Sequence, residues 1–217
     1  MNSLVTTRSK KRLMNHGFIL AASAVALFLA VTLIRSEDRK YQWSMATGYV
    51  SIMLLALSLL IGPFNVYTKR LNPVSSDLRR DVGIWCGVIG LAHVVIGIQV
   101  HMGNLWLYFF RGVDGDAGFK LRSDLFGAAN YIGFIGTILL VTLLLLSNDL
   151  SLRLLKSRRW KMIQRWNYFL FAAVLVHGIM YQAIEKRLLS IVIVFAIIMV
   201  LPIIGQLAGF RIKKLEK

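Results

Sequence analysis

Acidic side chains are scarce. The 217 residues hold 10 Asp and Glu against 26 Lys and Arg, with one cysteine, Cys86. A single thiol excludes an internal disulfide and leaves the compartment open; in mid-span Cys86 reads as a small packing residue. Every carboxylate lies outside the long apolar runs. That argues against a proton relay, which normally places Asp or Glu within the membrane. No Gly-rich dinucleotide fingerprint follows a strand pattern, so no cytoplasmic flavin or nicotinamide domain is expected. The first apolar run ends in Leu33-Ile34-Arg35-Ser36-Glu37 without a small-residue cleavage pattern, and reads as a retained signal anchor.

Apolar residues are abundant: 57% of the chain is hydrophobic and the mean hydropathy is +0.64. They gather into six runs, Gly17–Ile34, Ala46–Gly62, Gly83–Met102, Phe126–Leu146, Asn167–Ala183 and Leu188–Gly209, each near the roughly 17 to 25 residues needed to cross a bilayer. The expected fold is therefore an all-α integral membrane protein, a six-helix transmembrane bundle. It has a basic tail over 1–16, a transmembrane domain over 17–209 and a second basic tail over 210–217.

A net charge of +16 would suggest nucleic acid in a soluble protein, but the positions of the charges decide otherwise. Eighteen of the 26 basic residues fall on one side, in the clusters Arg8–Arg12, Lys69–Arg80, Arg153–Arg165 and Arg211–Lys217. Excess Lys and Arg mark the cytoplasmic side, so both termini are expected there, facing anionic lipid headgroups. No nucleic-acid partner is implied.

Spans one and two carry no acidic, basic or histidine side chain between their ends and suit peripheral helices. His16 reads as an interface residue needing no special partner. Pro63 is expected to close span two, followed by turn sequence around Asn72-Pro73 and a helix start at Asp77. Arg79-Arg80 read as topological anchors. In the outer loop, Asp114-Gly115-Asp116 resembles a fragment of a calcium loop without enough further ligands. Trp106, Tyr108, Phe109 and Phe110 in the same loop form an interfacial aromatic belt or a lid. Leu150–Arg165 is expected to lie along the membrane as an amphipathic helix.

Two deep histidines stand out. His93 lies ten residues into the third span, about 15 Å along a helix at 1.5 Å per residue, and His177 lies about 16 Å in from the same side on the fifth. Ionisable groups at that depth usually face the bundle interior and mark function. Gly90 and Gly97 flank His93 at i−3 and i+4, leaving a surface open to a neighbouring helix or a flat ligand. His101 lies near the outer surface. Two deep imidazoles suit haem ligation, or hydrogen bonds across helices in a non-redox scaffold or small transporter. Zinc or copper would need further ligands. A haem sensor or haem-handling protein would share the ligands without steady electron flow.

Arg79-Arg80-Asp81-Val82-Gly83-Ile84-Trp85, followed by Leu91-Ala92-His93, resembles the RR-x-x-G-x-x … L-x-H approach to the third helix of the ferric reductase-like transmembrane family. That family includes the haem-binding membrane subunit of the bacterial methionine-sulfoxide reductase system and, remotely, NADPH oxidases. Trp160 to Tyr168, then His177, is similar to the family's W-x-x-L-H-x-x-x-Y segment and second histidine, but Gln164 stands where the first histidine would be. The resemblance implies a haem-binding core over about 79–186 and a b-type cytochrome in a bacterial inner membrane. It implies one haem b with His93 and His177 as axial ligands to the iron, Gly90 and Gly97 beside it, and a second haem only if His101 found an axial partner. The electron donor would be a separate quinol or flavoprotein, any quinone or flavin being carried by that partner, and the acceptor would be external.

Overall fold

The computed structural model describes residues 2–69, 77–112 and 118–215. The turn sequence Asn72-Pro73 and the Asp114-Gly115-Asp116 triplet lie outside the described residues. The helices are α1 Asn2–Leu33, α2 Arg39–Tyr67, α3 Asp77–Gly97, α4 Leu125–Leu145, α5 Asp149–Gln164, α6 Asn167–Ile184 and α7 Leu189–Leu215. All but α5 belong to segments long and apolar enough to cross a membrane, giving six spans in an all-α bundle. A short antiparallel hairpin, β1 Phe110–Gly112 with β2 Phe119–Leu121, sits between α3 and α4.

Caps set several of the helix starts. The Asp38 carboxylate accepts from the Lys40 and Tyr41 amides at the head of α2. Asp124 accepts from Gly127 N at 2.8 Å at the head of α4, and Asn148 from Ser151 N at 2.7 Å at the head of α5; each satisfies an amide that the helix leaves without a partner. The expected amphipathic segment is α5, broken at Lys156, where the backbone turns to φ 56°.

Three expectations are corrected. First, α2 is central, not peripheral. It packs on α1, α3 and α7 and carries Val50, Leu54, Leu55 and Leu59 into the core at 5% exposure or less. Lack of charge reflected burial by protein here, not exposure to lipid. Contact with α3 is close because Gly90 lacks a side chain: a Cβ there would lie 2.9 Å from Ser51 Oγ, whose hydroxyl donates to the Cys86 carbonyl at 3.1 Å.

Second, Pro63 does not end α2, which continues to Tyr67. Proline has no N–H for the carbonyl four residues back, here Leu59. Gln206 of α7 replaces it, its Nε2 donating to Leu59 O at 2.6 Å. Gly209 lets α7 approach, since a Cβ there would lie 3.2 Å from Pro63.

Third, α3 stops at Gly97, short of His101. Tyr108 secures this end: its buried hydroxyl donates to Gly97 O at 3.0 Å and accepts from His101 N at 3.1 Å.

The basic end of the bundle is cross-linked. Asp81 is fully buried and accepts from Arg12 at 2.8 and 3.1 Å and from Asn15 at 3.1 Å. His16 Nε2 lies 3.4 Å from the same carboxylate, while its Nδ1 accepts the Trp85 indole N–H at 3.2 Å. An indole nitrogen only donates, so the His16 proton is on Nε2, facing Asp81. His16 therefore has two partners, contrary to its reading as a plain interface residue. Arg80 also does more than anchor: it is nearly buried and donates to Asp149 at 2.6 Å, an interaction that holds the Asp149 carboxyl below its ordinary range.

Candidate functional site

His93 and His177 border one cavity of about 410 Å³ lined by α2, α3, α4 and α6, by Phe195 of α7 and by outer-loop residues such as Leu105 and Tyr108. His93 Nδ1 lies 2.8 Å from the Ser44 carbonyl of α2, and His177 Nδ1 lies 2.9 Å from the Ala129 carbonyl of α4. A carbonyl oxygen only accepts, so each Nδ1 carries a proton, and in the neutral ring each Nε2 keeps its lone pair. Metal-bound histidines commonly have this arrangement, the second nitrogen donating to a carbonyl or carboxylate that fixes tautomer and ring orientation.

The two cradles share one construction. Four residues beyond each accepting carbonyl, one helical turn on, stands a glycine: Ser44 with Gly48, and Ala129 with Gly133. A Cβ on Gly48 would lie 3.0 Å from His93 Nδ1, and one on Gly133 would lie 2.8 Å from His177 Nδ1. Each imidazole thus lies against a bare stretch of the neighbouring helix. On its other side His177 meets the Tyr181 ring at 4.9 Å, and Tyr181 donates to Asn130 at 2.9 Å.

Of the residues expected at the site, His93 and His177 are brought together. Gly90 and Gly97 border the cavity, but their clearance serves neighbouring helices: Gly90 faces Leu140 and Ser51, and Gly97 faces Ser44 Oγ at 3.4 Å. His101 borders the far end, where its Nε2 lies 3.1 Å from Glu185 Oε1 and its ring sits between Phe126 and Tyr181. Gln164 does not reach the cavity, and Cys86 lines its wall.

Sequence alone does not mark Ser44, Gly48 or Gly133 as site residues. The available signal was a repeated pattern, a small residue followed four positions later by glycine in Ser44-Met-Ala-Thr-Gly48 and Ala129-Asn-Tyr-Ile-Gly133. Arg187 also lies at the far end of the cavity.

Two imidazoles are a sparse donor set for a bare ion. Among the described residues no group of three or more His, Cys, Asp or Glu side chains could hold one. They suit a group that brings its own equatorial donors and needs only two axial nitrogens.

The model of the family described as "Ferric reductase like transmembrane component" matches residues 47–176. The matched stretch takes in most of α2, all of α3 with His93, α4 with Gly133, and α6 up to the residue before His177. It covers well over half of the chain, and such a domain suggests electron transfer in a membrane. The chain belongs to the ferric reductase-like transmembrane family.

Proposed function

We propose that this protein is a membrane b-type cytochrome, with haem held between α3 and α6 by His93 and His177. The observation that carries this reading is the matched pair of Nδ1-to-carbonyl bonds, which leave two Nε2 lone pairs at one apolar cavity. The residues present fit the group. They are two imidazoles, with glycines where a Cβ would press on either ring, beside a cavity whose walls are mostly apolar.

Haem, when bound, supplies reversible one-electron chemistry; the protein supplies ligands, orientation and dielectric. Ser44 and Ala129 hold the imidazoles in the liganding tautomer. Gln164, which stands where a further histidine would be, is apart from the cavity, and this favours one haem. His101, engaged with Glu185, is not needed as a ligand in this reading.

In this reading the protein sits in a bacterial inner membrane with both termini on the cytoplasmic side, a topology supported by the excess of basic residues there. Electrons then come from a separate quinol or flavoprotein, the basic face steering an acidic donor, and leave to an acceptor on the external side. Lipid surrounds the bundle.

The test is a visible spectrum of protein purified after expression with ample haem, oxidised and dithionite-reduced. A b-type spectrum lost in both H93A and H177A is the expected result. A colourless wild type would sink the reading and leave the two hydrogen bonds as interhelical links in a non-redox scaffold. Stopped-flow mixing with a reduced quinol or flavoprotein then tests electron flow: failure of every donor to reduce the haem would favour a haem sensor.

A further inference from the structure

The cavity is apolar along its walls and polar at one end. Arg187, His101, Tyr108 and Gln182 meet there, at the end away from the basic clusters. Most of the polar groups in this region are engaged: His101 with Glu185, Tyr108 with Gly97 and His101, and the Gln182 amide nitrogen with Tyr49 at 3.0 Å. Arg187 is not. Its Nε is buried without a hydrogen-bond partner among the described residues, and so is the carbonyl oxygen of Gln182. Glu185, two residues away, is taken by His101.

A buried guanidinium N–H without an acceptor is unfavourable, and each such group in a folded protein calls for an explanation. A guanidinium beside an apolar cavity is well matched to a planar anion, above all a carboxylate, which it binds as a fork. Haem has that shape and charge, being apolar over most of its area with two carboxylates on one edge.

We propose that Arg187 is the seat for the carboxylate edge of the haem. The haem then lies with that edge towards the external face, and the fixed positive charge raises its midpoint potential. This rests on the haem reading above. Arg187 is a positioning residue here, touching the periphery of the group and not its iron. The sign of the potential follows from charge. Reduction lowers the charge at the iron by one, and a nearby cation favours the lower state.

The test uses the full chain in detergent, stripped of haem and titrated with haem or with its dimethyl ester, which has the same ring and iron but no carboxylates. Wild type is expected to hold the free acid at least about tenfold more tightly than the ester, the worth of one charge-assisted hydrogen bond. R187Q should lose that preference and show a lower midpoint potential, with R187K intermediate. Equal binding of acid and ester by wild type overturns the proposal, and that arm stands even if R187Q fails to fold. An unchanged potential in folded, haem-loaded R187Q also overturns it. Binding of neither form by wild type removes the haem reading itself.

Discussion

His93 of α3 and Ser44 of α2 are joined through the imidazole Nδ1 and a main-chain carbonyl 2.8 Å away, so the orientation of the histidine is set by a helix other than its own. His177 and Ala129 repeat the relationship between α6 and α4 at 2.9 Å. Because the acceptor is backbone, no side-chain substitution at Ser44 or Ala129 removes it. The vulnerable positions are the glycines.

Gly48→Ala and Gly133→Ala should both impair the site, the second more. The added methyl would lie 3.0 Å from His93 Nδ1 in one case and 2.8 Å from His177 Nδ1 in the other, and neither ring can retreat without losing its carbonyl. Overpacking of this kind costs about 1–3 kcal/mol, or roughly five- to hundredfold in haem retention. Haem content per purified protein and thermal unfolding would measure it. Two variants that retain haem as wild type does would show that the glycines are not cradles.

Asp81→Asn should destabilise the bundle without abolishing the haem spectrum. The carboxylate is fully buried and takes bonds from Arg12 and Asn15 with His16 alongside; removing one partner of a buried pair leaves an uncompensated charge, at about 3 kcal/mol. The readout is thermal unfolding in detergent followed together with absorbance. Loss of colour with no change in unfolding would contradict the assignment of this cluster to the joint between α1 and α3.

Gln206→Leu leaves the Leu59 carbonyl with neither the Pro63 N–H that proline lacks nor a side-chain donor, and should cost about 1–3 kcal/mol. Adding Pro63→Ala restores an amide that can donate to that carbonyl. The double variant P63A/Q206L should therefore be more stable than Q206L alone. Strict additivity in the double-mutant cycle would refute the link.

The outer loop should carry an acid-sensitive contribution. Arg122 lies 2.6 Å from Asp124, and with the Gly127 amide it lowers the Asp124 carboxyl to about 2. A carboxyl depressed in the folded state adds stability that is complete above its unfolded value near 4 and is lost as pH falls through its folded value. The stability gap between wild type and Asp124→Asn should be constant above about pH 4 and close as pH approaches 2. A gap unchanged at pH 2.5 would show that Asp124 acts as a cap in either protonation state.

Depth alone made His93 and His177 legible in the sequence, since an ionisable group so far into an apolar run stands out wherever it is read. Gly48 did not stand out. A glycine in a span has no meaning until its neighbour is known, and the neighbour lies 45 residues further along the chain. The position of α2 was misread for a related reason: membrane helices pack through small residues, so Ser44, Gly48 and Ser51 were the signal and the absence of charge was not. His101 was placed on α3 because the apolar run continues past Gly97. The helix stops where the Tyr108 hydroxyl intercepts its last carbonyl, and nothing local to residues 97–101 announces a contact with residue 108. The joint between α1 and α3 was equally hidden, since Arg12 and Asp81 are 69 positions apart.

Since each imidazole is oriented by a helix other than its own, no single hairpin of the chain contains the site. α2 and α3 together present one oriented ring, and α4 and α6 the other. During synthesis the first is complete long before the second has left the ribosome, and the pair of axial ligands we propose exists only after α6 has entered the bilayer and docked on α4. Haem loading would then come late in biogenesis, and a coloured protein would report that four separate helices had found one another.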